Sequence, residues 1–198
     1  MNSPTHTLIA LAALSKKGDT KRNWAVFIGS IIPDAFIYIG WVWLTFVKGE
    51  SQRRIWDEIY FEPPMQFIAS IFNSVPIYIG LALLGYIYRK ALWAKVMMFF
   101  ALAALIHIAF DFPVHNDDAY AHFWPISDWR FFSPLSYWDP NHHSHIVSLF
   151  EALIGLGAIF ILWKRFPKKW VQVSLLILGM LYAAMVIFRL FLSSGTVG

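Results

Sequence analysis

The stretch Lys95–Asp111, "KVMMFFALAALIHIAFD", decides the fold. Eleven apolar residues run unbroken from Val96 to Ile106 before a histidine arrives. Continued in both directions the run covers 94–113, about the 20 residues that a helix needs to cross a hydrocarbon core. The chain then changes character. His107, Asp111, His115, Asp117, Asp118 and His122 follow within sixteen residues, with no Lys or Arg among them. A membrane helix that ends in imidazoles and carboxylates implies a polar site at one end of a membrane bundle.

The composition agrees. The 198 residues are 58% hydrophobic and 14% charged, with a mean hydropathy of +0.54. Soluble globular domains carry roughly 25% charged residues. The length fits a single integral membrane domain, 1–198. No cysteine is present, which excludes disulfides and thiolate metal sites. The net charge of +4 is not a nucleic-acid signal, because Lys and Arg fall in short clusters between apolar runs. No cleavable signal peptide is expected, since the first fifteen residues lack a basic leader. No internal repeat or low-complexity tract is evident.

Five runs are long enough to span: 24–47, 66–88, 94–113, 146–164 and 170–193. A sixth, "HTLIALAAL", is too short. Ser3 suits its N-cap, Pro4 its first turn and Gly18 its end. It is expected as a re-entrant helix near 4–15, acceptable in a membrane only if protein surrounds it. The expected fold is therefore all-α: a polytopic bundle of about five transmembrane helices, this short N-terminal helix and a long extracytoplasmic loop over 114–145. Basic residues cluster at 16–22, 89–95 and 164–169, whereas the 114–145 loop has Arg130 alone. The positive-inside rule puts the clusters in the cytoplasm and the loop outside. In a bacterial-type inner membrane that is the periplasmic side.

At about 1.5 Å per residue, Asp34 lies roughly 18 Å beyond Arg22, and His107 roughly 18 Å beyond Lys95. His6 lies roughly 15 Å from Lys16. Three segments thus bring an ionisable group to one depth, and Asp111 follows His107 by one turn on the same face. Unpaired charge in hydrocarbon is costly and marks function or mutual pairing. Asp34 and Asp111 have no basic neighbour in sequence, so two carboxylates at one depth call for a cation between them. A hydrogen-bonded His–Asp pair is the plainer alternative. A divalent metal fits better; imidazole with carboxylate suits zinc first, then manganese or iron. His6, Asp34, His107 and Asp111 are the expected ligands, with His115 and His122 as further candidates. Asp117 and Asp118 are expected to steer a water or carry a proton. His142, His143 and His145 are placed to fold down over the site. Aromatic residues from Tyr120 to Trp138 stud the loop, as interfacial anchors or as a lid.

With "TH" at 5–6, "GSIIPD" ending at Asp34 and "HIAFD" ending at Asp111, the chain resembles the membrane-bound metal-dependent hydrolases of the YdjM/YbcI type. The block "HFWPISDWRFFSPLSYWDPNHH" (122–143) is similar to loops of zinc-dependent phospholipase C-like proteins. Some look-alikes are labelled cobalamin biosynthesis proteins, yet the chain has no nucleotide loop or corrin-handling feature. The resemblance implies a metal held by His6, Asp34, His107 and Asp111, and hydrolysis as the reaction. The chain departs from the family at 72–80, "FNSVPIYIG", where an HRGxTHS-like motif is often found. The function expected is hydrolysis of a lipid or lipid-linked (phospho)ester reached from the periplasmic side, with membrane lipids as partners and no nucleic acid. A structural metal site that binds a protein partner, or a metal or ion transporter, are the alternatives. Oligomeric state is not legible.

Overall fold

The computed structural model describes residues 1–194, with side chains through Ala184, and among them the chain is all α-helical with no strand. The first helix, α1 (Ser3–Leu14), is only 12 residues long, about 18 Å. Its cap is Asn2 rather than Ser3, and it ends at an extended Ser15 well before Gly18. Ser3 is drawn elsewhere, its hydroxyl donating to the Asp34 carboxylate. A charged acceptor outcompetes the helix's own end. Thr5, His6, Leu8, Ile9 and Ala10 are all buried, and α1 lies against the second, sixth and seventh helices.

A short helix inside a bundle must have its end groups satisfied. Arg165 donates to the carbonyls of Leu11 at 3.1 Å and Ser15 at 2.9 Å, and the Arg22 Nε donates to the carbonyl of Leu14. At the other end the Asn2 amide donates to Glu151 at 2.9 Å. Cations therefore sit at the C-terminus of α1 and carboxylates at its N-terminus, as its dipole favours.

Helix α2 (Thr20–Val42) starts where Asp19 accepts from the Arg22 amide at 3.1 Å. It carries Pro33 in its interior and continues as a π turn to Val47. A surface helix, α3 (Gln52–Asp57), and a 3₁₀ turn over Ile59–Phe61 follow. The expected span 66–88 is not one helix but two, α4 (Pro63–Phe72) and α5 (Val75–Ile87). Pro76 cannot donate and its ring opposes the preceding turn, so the helix breaks at Asn73 and Ser74. Ser74 caps the second half, accepting from the Ile77 amide at 3.2 Å. Asn73 donates to the carbonyls of Ala69 and Pro33 at 3.1 and 3.2 Å. The freed Val75 amide donates to the His122 carbonyl at 2.8 Å. A broken helix is tolerable at membrane depth only with partners of this kind.

Helix α6 (Leu92–Asp111) stops at a 3₁₀ turn over Phe112–Val114, as Pro113 requires. Helices α7 (Ser144–Arg165) and α8 (Lys169–Ser194) complete the chain. Four segments are long and apolar enough to cross a membrane: Thr20–Val47, Pro63–Ile87, Leu92–Val114 and Ser144–Arg165. These mark the chain as a membrane protein. The fifth expected span, 170–193, is helical along its backbone, but its side chains past Ala184 lie outside the described residues.

Close approach of backbones holds α6 at the centre. A methyl group on Gly29 would stand 2.1 Å from the Phe100 carbonyl oxygen, and one on Gly85 2.7 Å from that of Ala94. Ala94, Ala101, Ala103 and Ala104 are fully buried along the same helix. Small residues at helix contacts are the usual means of association in lipid. Trp24, Ile39, Phe46, Phe160 and Met180 point outward and are exposed. The segment between α6 and α7 is irregular but tied down. Tyr137 donates to the carbonyl of Val114 at 3.0 Å and Ser133 to that of His115 at 2.9 Å. Arg130 donates to Gln66 at 2.6 Å and to the Ala119 carbonyl at 2.9 Å.

Candidate functional site

Asp111 ends α6 fully buried, and nitrogen atoms surround it. His6 Nε2 from α1 is 2.8 Å from its Oδ1, and His107 Nε2, one turn back on α6, is 3.0 Å from its Oδ2. His115 Nε2 stands 3.5 Å from Oδ1, and the backbone nitrogen of Met1 lies 2.6 Å from the same oxygen. Asp34 of α2 completes the group, its Oδ1 3.4 Å from His107 Nε2. Pro33 and the Ser3 contact fix the part of α2 that carries it. The rings of His6 and His107 stack at 3.7 Å between centroids. The residues that the depth argument placed at one level do meet.

The donor atoms of His6, His107 and Asp111 all lie within 4.8 Å of one another. In a tetrahedral zinc site with bonds of about 2.0–2.1 Å, neighbouring ligand atoms are about 3.3 Å apart. The contacts of 2.8, 3.0, 3.4 and 3.5 Å among the imidazoles and the two carboxylates bracket that edge. The donor set of His6, His107 and Asp111, two imidazoles and a carboxylate, is one that could hold a divalent ion. His107 Nδ1 donates to the Ser30 carbonyl at 2.7 Å, which turns Nε2 toward the carboxylates, the outer support that metal-ligating histidines usually have. His6 Nδ1 is buried without a partner.

Of the adjacent pair Asp117 and Asp118, Asp118 turns inward. It is 6% exposed, with Oδ2 2.8 Å from His115 Nδ1. That contact is short but too poorly aligned for a hydrogen bond, and both His115 Nδ1 and Asp118 Oδ1 remain unpartnered. Burial lowers the basicity of His115, but Asp111 and then Asp118 outweigh it and raise the imidazolium pKa to about 9. Asp117 is exposed, yet partial burial and the neighbouring Asp118 push its carboxyl upward.

The cluster opens into a cavity of about 600 Å³, within the range of small-molecule sites. Asp34, Asp111, His115, Asp117 and Asp118 line it, together with Tyr38, Trp56, Tyr60, Phe61, Tyr120, Tyr137 and Trp138. The wall supplied by Trp56, Asp57, Tyr60 and Phe61 was not expected from the sequence.

The remaining loop histidines are not drawn in. His122 is buried, but its Nδ1 donates to the Asn73 carbonyl at 3.1 Å, pinning the helix break rather than meeting a carboxylate of the cluster. His142 pairs with Asp139 at 2.6 Å, while His143 and His145 are exposed. None of the three lines the cavity, and His143 takes a left-handed conformation (φ 61°) at the start of α7. A second buried network, also unexpected, lies behind α1. Glu151 of α7 accepts from Asn2 Nδ2 at 2.9 Å and Thr5 Oγ1 at 2.5 Å, and Thr5 also meets the Tyr182 hydroxyl at 2.5 Å. Its sequence sign was Glu151, a carboxylate inside the expected span 146–164.

No protein-family model, curated protein or solved structure matches the chain.

Proposed function

We propose that the protein is a membrane-embedded, metal-dependent hydrolase of a lipid or lipid-linked phosphoester. The observation that carries this is the buried group of His6, His107 and Asp111, with Asp34 beside it, whose carboxylates Asp34 and Asp111 line an aromatic cavity. These four side chains, with His115, would hold zinc, or manganese or iron. When bound, such an ion supplies Lewis-acid chemistry, polarising an ester oxygen and acidifying a water. Asp118 is the proton carrier: it is buried, lines the cavity and has an oxygen free. In the reaction the oxygen of water bonds to phosphorus and the ester P–O bond breaks. The proton that water loses passes to Asp118 and from there to the leaving oxygen. His115 lies between the Asp111 and Asp118 carboxylates, 3.5 Å from one and 2.8 Å from the other.

Below the cluster Ala10, Val26 and Ala103 pack as a dry layer, which favours a dead-end site over an ion path. The basic clusters at 16–22, 89–95 and 164–169 favour a periplasmic mouth in a bacterial-type inner membrane. The test is release of phosphate-containing head groups from extracted lipids by the metal-replete protein, followed by ³¹P NMR. Asp111→Asn should abolish release. If the metal-replete wild type releases nothing from any lipid class, while Asp111→Asn merely melts at lower temperature, the ion is a structural staple.

A further inference from the structure

Glu151 is the only acidic residue of α7 and lies inside its apolar run. It is 2% exposed and does not line the cavity, so the hydrolytic reading gives it no part. A carboxylate at membrane depth persists for function or for pairing. Its Oε1 accepts from the Asn2 amide and from Asn2 Nδ2, each at 2.9 Å, and from Thr5 Oγ1 at 2.5 Å. Thr5 has a single proton and gives it to this carboxylate, so the Tyr182 hydroxyl 2.5 Å away donates to Thr5 in turn. Asn2 makes no side-chain bond to the helix it caps. The acceptor at the N-terminus of α1 comes instead from α7, where the helix dipole favours a carboxylate.

The turn so held carries His6. Within the stacked pair of imidazoles, His107 is fixed through Nδ1 by the Ser30 carbonyl at 2.7 Å. His6 Nδ1 is buried with no hydrogen-bond partner among the described residues. Stacking sets the plane of the His6 ring, but how far Nε2 reaches toward Asp111 follows from the backbone of the first turn. Ser3 ties that turn to Asp34, a carboxylate of the cluster itself. Glu151 anchors it from outside the cluster. Resting on the metal reading above, we infer that Glu151 is a positioning residue of the metal centre. From α7 it holds the first turn of α1 so that His6 meets the ion, and it acts through His6 alone.

The test is a double-mutant cycle on metal affinity, read with cobalt(II), whose visible absorption reports its ligands. Arg165 still holds the far end of α1 when Glu151 is replaced, and the milder Glu151→Gln serves if Glu151→Ala does not fold. Glu151→Ala should weaken cobalt binding at least about tenfold, as loss of an outer partner does. Its spectrum should move toward that of His6→Ala. In the His6→Ala background the same substitution should cost about twofold or less, because the contact it serves is already gone. Thr5→Val, which keeps the shape and loses the hydroxyl, should weaken binding as well, and Thr5→Ser should bind like the wild type. Losses that multiply, with Glu151→Ala costing as much without His6 as with it, overturn the inference. So do unchanged affinity and spectrum beside a lowered melting temperature, which make Glu151 a stabiliser of the bundle only. Where His6→Ala binds too weakly to measure, Thr5→Val and Thr5→Ser decide, and equal affinities overturn the inference. A wild type that takes up no cobalt removes the metal reading and this inference together, whereas uptake with multiplying losses removes the inference alone.

Discussion

At the scale of single residues, the geometry divides the carboxylates by task. Asp111 touches three imidazoles, so Asp111→Asn should lower metal affinity by more than the roughly 10–100-fold typical of outer-shell changes. Asp118→Asn should keep the metal and the melting temperature yet reduce turnover by about 10²–10⁴-fold, the usual share of general acid–base catalysis. Asp117→Asn, at an exposed position, should do far less. Parallel metal analysis and rate measurement on the three variants check this; equal losses at 117 and 118 would remove the assignment. Asp139 has a different task. Its carboxyl accepts from His142 at 2.6 Å and from the Asn141 amide at 2.9 Å, and the His142 contact holds its pKa below the usual range. A lowered carboxylate pKa contributes fully above the unfolded value of about 3.9 and is lost as pH falls through the folded one. Amide protection over 136–145, taken as the exchange rate relative to the intrinsic rate at the same pH, should therefore be higher at pH 7 than at acid pH, and Asp139→Asn should show the low protection at pH 7. The i, i+4 spacing of His107 and Asp111 was legible in the sequence, as was the convergence of His6 and Asp34 on that pair. Which of Asp117 and Asp118 turns inward was not, because an irregular loop has no periodicity to set its facing.

At the scale of elements, the site depends on how closely α2 and α6 approach, since each carries one carboxylate. Gly29 makes that approach possible. Gly29→Ala would drive a methyl into the Phe100 backbone, where neither helix has a flexible side chain to give way. Its expected cost is about 1–3 kcal/mol, as for overpacking, with weaker metal binding because Asp34 and His107 part. Gly80→Ala is the control, with nothing within 4 Å of the added methyl; it should be neutral or gain up to about 1 kcal/mol from helix propensity. Thermal melts of both variants decide, and a Gly29→Ala protein as stable as the Gly80→Ala one would contradict this packing. Helix positions were readable from the apolar runs, including the short α1. The break at Asn73–Ser74 was not recognised, although Ser74 followed by Pro76 signals it. Apolar residues on both sides made 66–88 look continuous. The same continuity hid the role of His122, whose carbonyl and ring both hold that break.

At the scale of the molecule, apolar helices pack around α6, and His6, Asp34, His107 and Asp111 meet beside the 115–143 segment. The charge pattern predicts which end is outside. Single cysteines in this thiol-free chain test it, at exposed Ser127 on the loop and exposed Lys17 in a basic cluster; Ser15 is unsuitable, being buried under Arg165. An impermeant maleimide in intact cells should label position 127 and spare position 17, and the reverse would invert the topology. The central claim is that the His–Asp cluster holds a transition metal. The direct measurement is elemental analysis of protein purified without chelator, beside Asp111→Asn prepared in the same way. The account predicts about one zinc, manganese or iron per chain in the wild type and a large loss in the variant. A wild-type protein with no transition metal, and no uptake on titration with zinc, manganese or iron, would contradict it.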